Sequence, residues 1–165
     1  MERAEVVSVT SDSKIAKVTL REVPDEPGIA ARVFQDLAQA GINIRLIIQS
    51  ASSQDRGRIT FILDSEFLDG ARELGKAWEE TGVASCCVIE SDVAKISIVG
   101  SRLASSPGLA ARMFSILAQE GINIDCISSS EMKVACVISA DRLDDAVLAV
   151  HQEFFPESRS DAAAM

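Results

Sequence analysis

The chain has 165 residues, a formal net charge of −9, and 47% hydrophobic against 4% aromatic residues. That acidity excludes the broad basic face that supplies most nucleic-acid affinity, and no Lys/Arg run is present for an anionic membrane, so neither partner is expected. No stretch approaches the roughly 18 apolar residues of a membrane span, and MERAEVV has no basic segment followed by a long apolar one, so the expected compartment is the cytoplasm.

Val6-Val7-Ser8-Val9 opens the chain as a short strand-like run. Ile15-Ala16-Lys17-Val18-Thr19-Leu20 then alternates as a half-buried strand should, and Val93-Ala94-Lys95-Ile96-Ser97-Ile98 copies it. PGIAARVFQDLAQAGINI at residues 27–44 returns as PGLAARMFSILAQEGINI at residues 107–124. The repeat predicts two units of about 80 residues, each near the lower limit for a stable core. In each copy proline suits the first helical position, where its missing N–H would be unpaired anyway, and Ser106 is a good N-cap. Ile29, Ala30, Val33, Phe34, Leu37 and Ala38 form an apolar stripe opposed by Arg32, Gln35, Asp36 and Gln39. Leu109, Ala110, Met113, Phe114, Leu117 and Ala118 repeat the stripe, while Ile116 stands where the first copy has Asp36, the mark of an interface or of a satellite contact. Gly41 and Gly121 end the helices where a left-handed residue is wanted.

Strand-like runs follow: INIRLIIQS and RITFILD in the first copy, INIDCISSS and KVACVIS in the second. A second helix comes next in each, with Phe67, Ala71, Leu74 and Trp78, then Leu143, Val147, Val150 and Phe154, at helical spacing. The first copy finishes with a strand over residues 84–89. The second ends in PESRSDAAAM, with no strand signal, which leaves one sheet position empty; Val6-Val7-Ser8-Val9 is expected to fill it, because an unpaired position would forfeit several backbone hydrogen bonds. The fold class is therefore α+β: two ferredoxin-like βαββαβ domains, the second completed by the N-terminal strand. The first spans 14–91, the second 5–10 plus 92–155, and 156–165 form a flexible tail. Cys86, Cys87, Cys126 and Cys136 form no C-x-x-C pair and read as small buried hydrophobes rather than a disulfide framework or zinc site. His151, near a helix end, has no catalytic role. No catalytic residue, metal or cofactor is expected.

The fold alone names no function. An RNA binder would need basic and aromatic side chains on the open sheet face, and seven aromatics, mostly at helix core positions, do not supply them. A metal carrier needs paired loop thiolates. An acyl-phosphate hydrolase needs a Gly-rich phosphate loop with an Arg, which Gly28 and Arg32 imitate weakly beside the repelling Asp25 and Glu26. The remaining class senses a small molecule.

Val-Pro-Asp-Glu-Pro-Gly-Ile-Ala-Ala-Arg-Val-Phe, then Ala-Gly-Ile-Asn-Ile and Ile-Ile-Gln-Ser, resembles an ACT domain. Gly-Ile-Asn-Ile-Asp-Cys-Ile-Ser-Ser-Ser-Glu-Met-Lys-Val resembles its tandem partner in the regulatory region of aspartate kinases. The likeness runs from about residue 5 to 155 and includes the out-of-order strand; the kinase domain of that family is absent from the chain, which resembles the small subunit some of these kinases carry, or a fragment of the full-length enzyme. The resemblance implies a non-catalytic regulatory part that binds threonine, with lysine as a further candidate, for feedback control of aspartate-family amino-acid synthesis, as a homodimer through its ACT domains and beside a full-length kinase subunit. An alternative is a stand-alone ACT sensor acting on another enzyme or a transcriptional response.

An amino-acid effector brings a carboxylate and an ammonium. Unpaired N–H groups at a helix start suit the first, with Gly28 admitting close approach beside Pro27 and with Ile29 and Ala30 as donors. Asp25 suits the second. The resemblance implies that these positions, with Gln49 on the next strand, contact threonine, and that Asn123 and Ile124, at the start of the equivalent strand in the second unit, close the pocket from a neighbouring ACT domain. A second site would use Ser105, Gly108, Leu109, Ala110 and Ser130, but Ser105 stands at the Asp25 position and supplies no anion.

Overall fold

β2 (Ile15–Pro24) carries the alternation that starts each copy but is not half-buried: Ala16, Val18 and Leu20 on one face and Ile15, Lys17 and Thr19 on the other are all buried. The structure, a computed structural model, describes residues 5–51, 55–103, 106 and 108–156. After β2 come α1 (Ile29–Gln39), β3 (Ile44–Ala51), β4 (Arg56–Asp64), α2 (Leu68–Glu80) and β5 (Cys86–Glu90), and the strands form an antiparallel sheet in the order β3-β4-β2-β5. Ile59, Phe61 and Leu63 of β4 join the buried β2 residues against Ile29, Val33 and Leu37 of α1 and Ala71 and Trp78 of α2, so both helices cover one face. Phe61 is the hub, edge-on to Phe34 at 6.0 Å and to Trp78 at 6.3 Å, in the geometry aromatic pairs prefer.

The second sheet is built from β6 (Val93–Ser101), β7 (Cys126–Ser129), β8 (Lys133–Ser139) and, out of order, β1 (Glu5–Asp12), with α3 (Leu109–Gln119) and α4 (Leu143–Phe154) on its core face. Its order, β1-β6-β8-β7, places the N-terminal strand where β5 stands in the first sheet. The pairing chemistry repeats as well: Lys17 meets Glu90 of β5 at 2.8 Å, and its counterpart Lys95 lies in register with Asp12 of β1. A register shift between Val6 and Ser8 turns Val7 outward, 62% exposed, on an edge where irregularity discourages pairing with other chains. By contact the chain divides into Lys14–Val93 and a discontinuous unit of Met1–Ser13 with Ala94–Met165. Residues 157–165 of the expected tail lie outside the described residues.

Several local expectations change. The helices begin two residues later than a proline start implies: Gly28 (φ 96°) and Gly108 (φ 102°) are the N-caps, in the left-handed region that favours glycine, so Pro27 precedes the cap and Ser106 is not one. Asp36 does not join the solvent face. It is half-buried and accepts a hydrogen bond from Trp78 Nε1, whereas Ala38 of the apolar stripe is exposed. Ile116 packs on the core of its own unit, which makes it a satellite contact. At the other helix end the sequence signal is realised in full. Gly41 N–H donates to Ala38 O at 3.0 Å and Ile42 N–H to Leu37 O at 2.9 Å, with Gly121 and Ile122 repeating both bonds, the reciprocal pattern that closes a helix on a left-handed glycine.

Candidate functional site

The C-terminal ends of β2 and β3 and the start of β4 lie at one end of the first sheet, since Pro24 pairs with Arg56 and Ala51 with Gly57. The loop leading into α1 is anchored there by two bonds. Asp25 N–H donates to Asp55 O at 2.9 Å, and Arg56 Nη1 donates to Glu22 O at 3.0 Å across a register shift that leaves Glu22 at φ 53°. Asp25, Glu26, Pro27 and Gly28 are all exposed. Sequence patterning does not reveal this tether; Gln54-Asp55-Arg56-Gly57 signals a turn, but not that the turn reaches across to the helix start.

Among the described residues no side chain caps α1. Ile29 N–H makes a long bond of 3.4 Å to Glu26 O, and Arg32 N–H makes the first helical bond, 2.9 Å, to Gly28 O. Ala30 and Ala31 N–H therefore meet no acceptor among the described residues. A helix start in this state presents donors and the positive dipole end together, and both favour a carboxylate. Of the expected donors Ala30 is open and Ile29 is partly engaged; Ala31 adds one the sequence reading did not include. Asp25 supplies an exposed anion three residues before the cap. Gln49 stands two residues from the end of β3, opposite Ile59 of the core, so it faces the helix side of the sheet and is exposed. These groups share one end of one face, suited to a ligand with a carboxylate, an ammonium and a polar side chain.

The second unit repeats the helix start and alters its surroundings. Leu109 N–H reaches Ser106 O at 3.4 Å and Arg112 N–H reaches Gly108 O at 2.8 Å, again with no side-chain cap among the described residues. Leu109 and Ala110 pack partly on the core. Ser105 lies outside the described residues. Ser130 has left the strand: its N–H donates to Lys133 O at 2.8 Å to close the β7–β8 hairpin, and Ser129 holds the position equivalent to Gln49 by the 80-residue offset. Asn123 and Ile124 are not the start of β7. They form the connector before it, and the chain enters the ladder at Asp125, whose N–H donates to Val137 O at 2.8 Å. Asn123 is exposed, while Ile124 packs against the second core, which explains its apolar side chain without a ligand.

A shallow hollow of about 250 Å³ lies elsewhere, between α2 and β5, lined by Arg72, Gly75, Lys76, Glu79, Cys87 and Ile89. Burial, then the Glu79 carboxylate and Cys86, push the Cys87 thiol up to about 11, so it is protonated at neutral pH and a poor nucleophile. Glu79 Oε1 accepts from Cys87 N–H at 2.6 Å, which occupies one N–H of the edge strand. None of the four cysteines forms a disulfide; Cys126 and Cys136 are buried, while Cys86 and Cys87 are only half-buried, less than expected of core residues. No described cluster of His, Cys, Asp and Glu could hold a metal ion, and no helix among the described residues is long and apolar enough to cross a membrane.

Residues 18–82 match the ACT domain model, and residues 96–154 match a second ACT domain model. The crystal structure of the ligand-free regulatory subunit of aspartate kinase from Thermus thermophilus is 37% identical, with a TM-score of 0.84 over 90% of this chain and 98% of that one. The chain belongs to the ACT-domain regulatory family of aspartate kinases. It is also similar to the structure of aspartokinase alpha and beta subunits, at 31% identity and a TM-score of 0.83 over 90% of this chain and 98% of that one. A curated aspartokinase of Thermus thermophilus is 40% identical over 152 residues, 90% of this chain. The chain spans 37% of the length of that aspartokinase. The uncapped helix starts and the exposed Asp25 are thus features of an ACT pair, the first unit carrying the fuller set.

Proposed function

We propose that this ACT pair is the effector-sensing part of an aspartate kinase, binding threonine at the start of α1 with lysine as a second effector, and that it works in the cytoplasm as a homodimer through its ACT units and in association with a catalytic kinase subunit. The observation that carries this reading is the uncapped α1 terminus beside exposed Asp25, with Gln49 at the same end of the sheet. The effector carboxylate takes the Ala30 and Ala31 N–H groups, Asp25 takes the ammonium, and the Gln49 amide reads the side-chain hydroxyl. Asn123 of a neighbouring copy closes the pocket through its exposed amide. An effector held between copies favours one arrangement of the ACT units over another, and its regulatory power is limited by its difference in affinity for the two.

Thermal unfolding against a panel of amino acids tests this. A ligand that binds only the folded form adds about 2.7 kcal/mol at 100 times its dissociation constant, so threonine should raise the melting temperature clearly. Asp25→Ala should remove that response while leaving the unliganded melting temperature nearly unchanged, because the side chain is exposed. Melting curves unmoved by threonine, lysine and methionine would sink the proposal, and a large loss of unliganded stability in Asp25→Ala would make Asp25 structural.

A further inference from the structure

On the other face of the first sheet, a row of side chains makes no side-chain hydrogen bond or ion pair with any other described residue. Cys86 of β5 lies in register with Arg21 of β2, Arg21 with Arg58 of β4, and Arg58 with Ser50 of β3. Residues paired in register share a face. Here it is the face away from the helices, because the neighbouring Leu20 and Ile59 point into the helix-covered core. Four strands thus present, in one line, a thiol, two guanidiniums and a hydroxyl; Arg21, Arg58 and Ser50 are exposed and Cys86 is half-buried. The next rung inward holds the buried hydroxyls of Thr19 and Thr60, 3.4 Å apart.

Like charges directly opposite on adjacent strands destabilise a sheet. Among the described residues no carboxylate pairs with Arg21 or Arg58, although Arg45, Arg72, Arg112 and Arg142 each hold one. Glu22 follows Arg21 directly but sits in the strand irregularity at φ 53° and pairs with neither. In a chain with 25 acidic residues and a net charge of −9, two adjacent arginines with no counter-charge among the described residues call for one from outside. Arg56, whose Nη1 donates to the Glu22 carbonyl, adds a third guanidinium at the same end.

We propose that this row is a phosphate site, in which Arg21 and Arg58 straddle the anion and Ser50 donates its hydroxyl. A carboxylate offers two oxygens and one charge, which a single guanidinium fork satisfies. A phosphate group carries close to two charges at neutral pH and three or more acceptor oxygens, matching two forks and a hydroxyl. The site lies on the sheet face opposite Gln49, so it is distinct from the effector position.

The test is titration of the whole chain with inorganic phosphate at constant ionic strength, chloride making up the balance, followed by amide chemical shifts and thermal unfolding. Saturable shifts centred on Arg21, Ser50 and Arg58, with a rise in melting temperature, are expected. Arg21→Gln and Arg58→Gln should each weaken binding at least tenfold, Arg58→Lys less, and Arg72→Gln, whose guanidinium is held by Asp69 on α2, not at all. A parallel titration with AMP separates sources: tighter binding with the same arginine dependence assigns a phosphate ester, and equal affinity assigns the free ion. No response beyond that of chloride, shifts centred elsewhere in the wild type, or an undiminished response in the double variant would overturn the proposal.

Discussion

Trp78 Nε1 donates to Asp36 Oδ2 at 2.8 Å and ties α2 to α1 at the edge of the first core. The second unit has no such pair: Ile116 stands at the Asp36 position, and Glu153, at the Trp78 position when α4 is aligned on α2, accepts instead from Arg112 Nε at 2.8 Å. Arg112 also lies 4.8 Å over the Phe154 ring. Each repeat thus ties its two helices at this position with different chemistry. Asp36→Ala, which leaves the nearly buried indole N–H without its acceptor, should cost about 1–2 kcal/mol in urea unfolding. Asp36→Ile combined with Trp78→Phe should cost less than the sum of the single changes, since both polar partners then leave together. Additive costs would show that the bond contributes nothing of its own.

Gly75 should resist substitution. In a helix interior, Gly→Ala ordinarily stabilises by about 0.5–1 kcal/mol. Here an added Cβ would lie 2.7 Å from Cys87 Sγ, so Gly75→Ala should destabilise by about 1–3 kcal/mol. Truncating the obstacle in Gly75→Ala/Cys87→Ala should recover most of the loss in the same unfolding measurement.

Removal of residues 1–10 takes away most of β1, which pairs with β6 from Glu5–Ser101 to Asp12–Lys95. Amide exchange at Ile96 and Ile98 should then accelerate while β2 and β4 of the first unit keep their protection, because β1 lies in the second sheet alone. Equal protection of both sheets after the deletion would contradict a structural role for the strand.

Stability should fall in alkali for a reason tied to two thiols. Burial pushes Cys136 up to about 12, and burial with Glu79 and Cys86 pushes Cys87 up to about 11, from 9.0. Above pH 9.0 the unfolded thiols release protons that the folded ones keep, so the folded state binds more protons and unfolding grows easier as pH rises towards 11 and 12. Below that window these thiols contribute no pH dependence. Urea midpoints from pH 8 to 10.5 should decline in the wild type and less steeply in Cys87→Ala/Cys136→Val.

Much of this was legible in the residues. The near-verbatim repeat, the alternation of Ile15–Leu20 and the glycines at 41 and 121 are local patterns with local causes, and they led to the two sheets, the four helices and the N-terminal strand in the second sheet. The candidate site was half legible. Asp25, Gly28 and Gln49 were marked by the resemblance to ACT domains, but whether the helix start would be capped depended on Gly28 taking φ 96°, and proline alone suggested a start two residues too early. Nothing in the sequence near Asp55 showed that its carbonyl would hold Asp25.

Sequence by itself determined which segments become strands and helices and which faces turn inward, because periodicity and glycine placement act over a few residues. Tertiary structure decided what those elements meet. It paired Asp36 with a tryptophan 42 residues away, aligned Arg21 with Arg58 across two strands, and set Gly75 against Cys87. Such contacts follow from strand register and helix packing, and both are set by burying a whole core at once rather than by any one residue's neighbours in the chain.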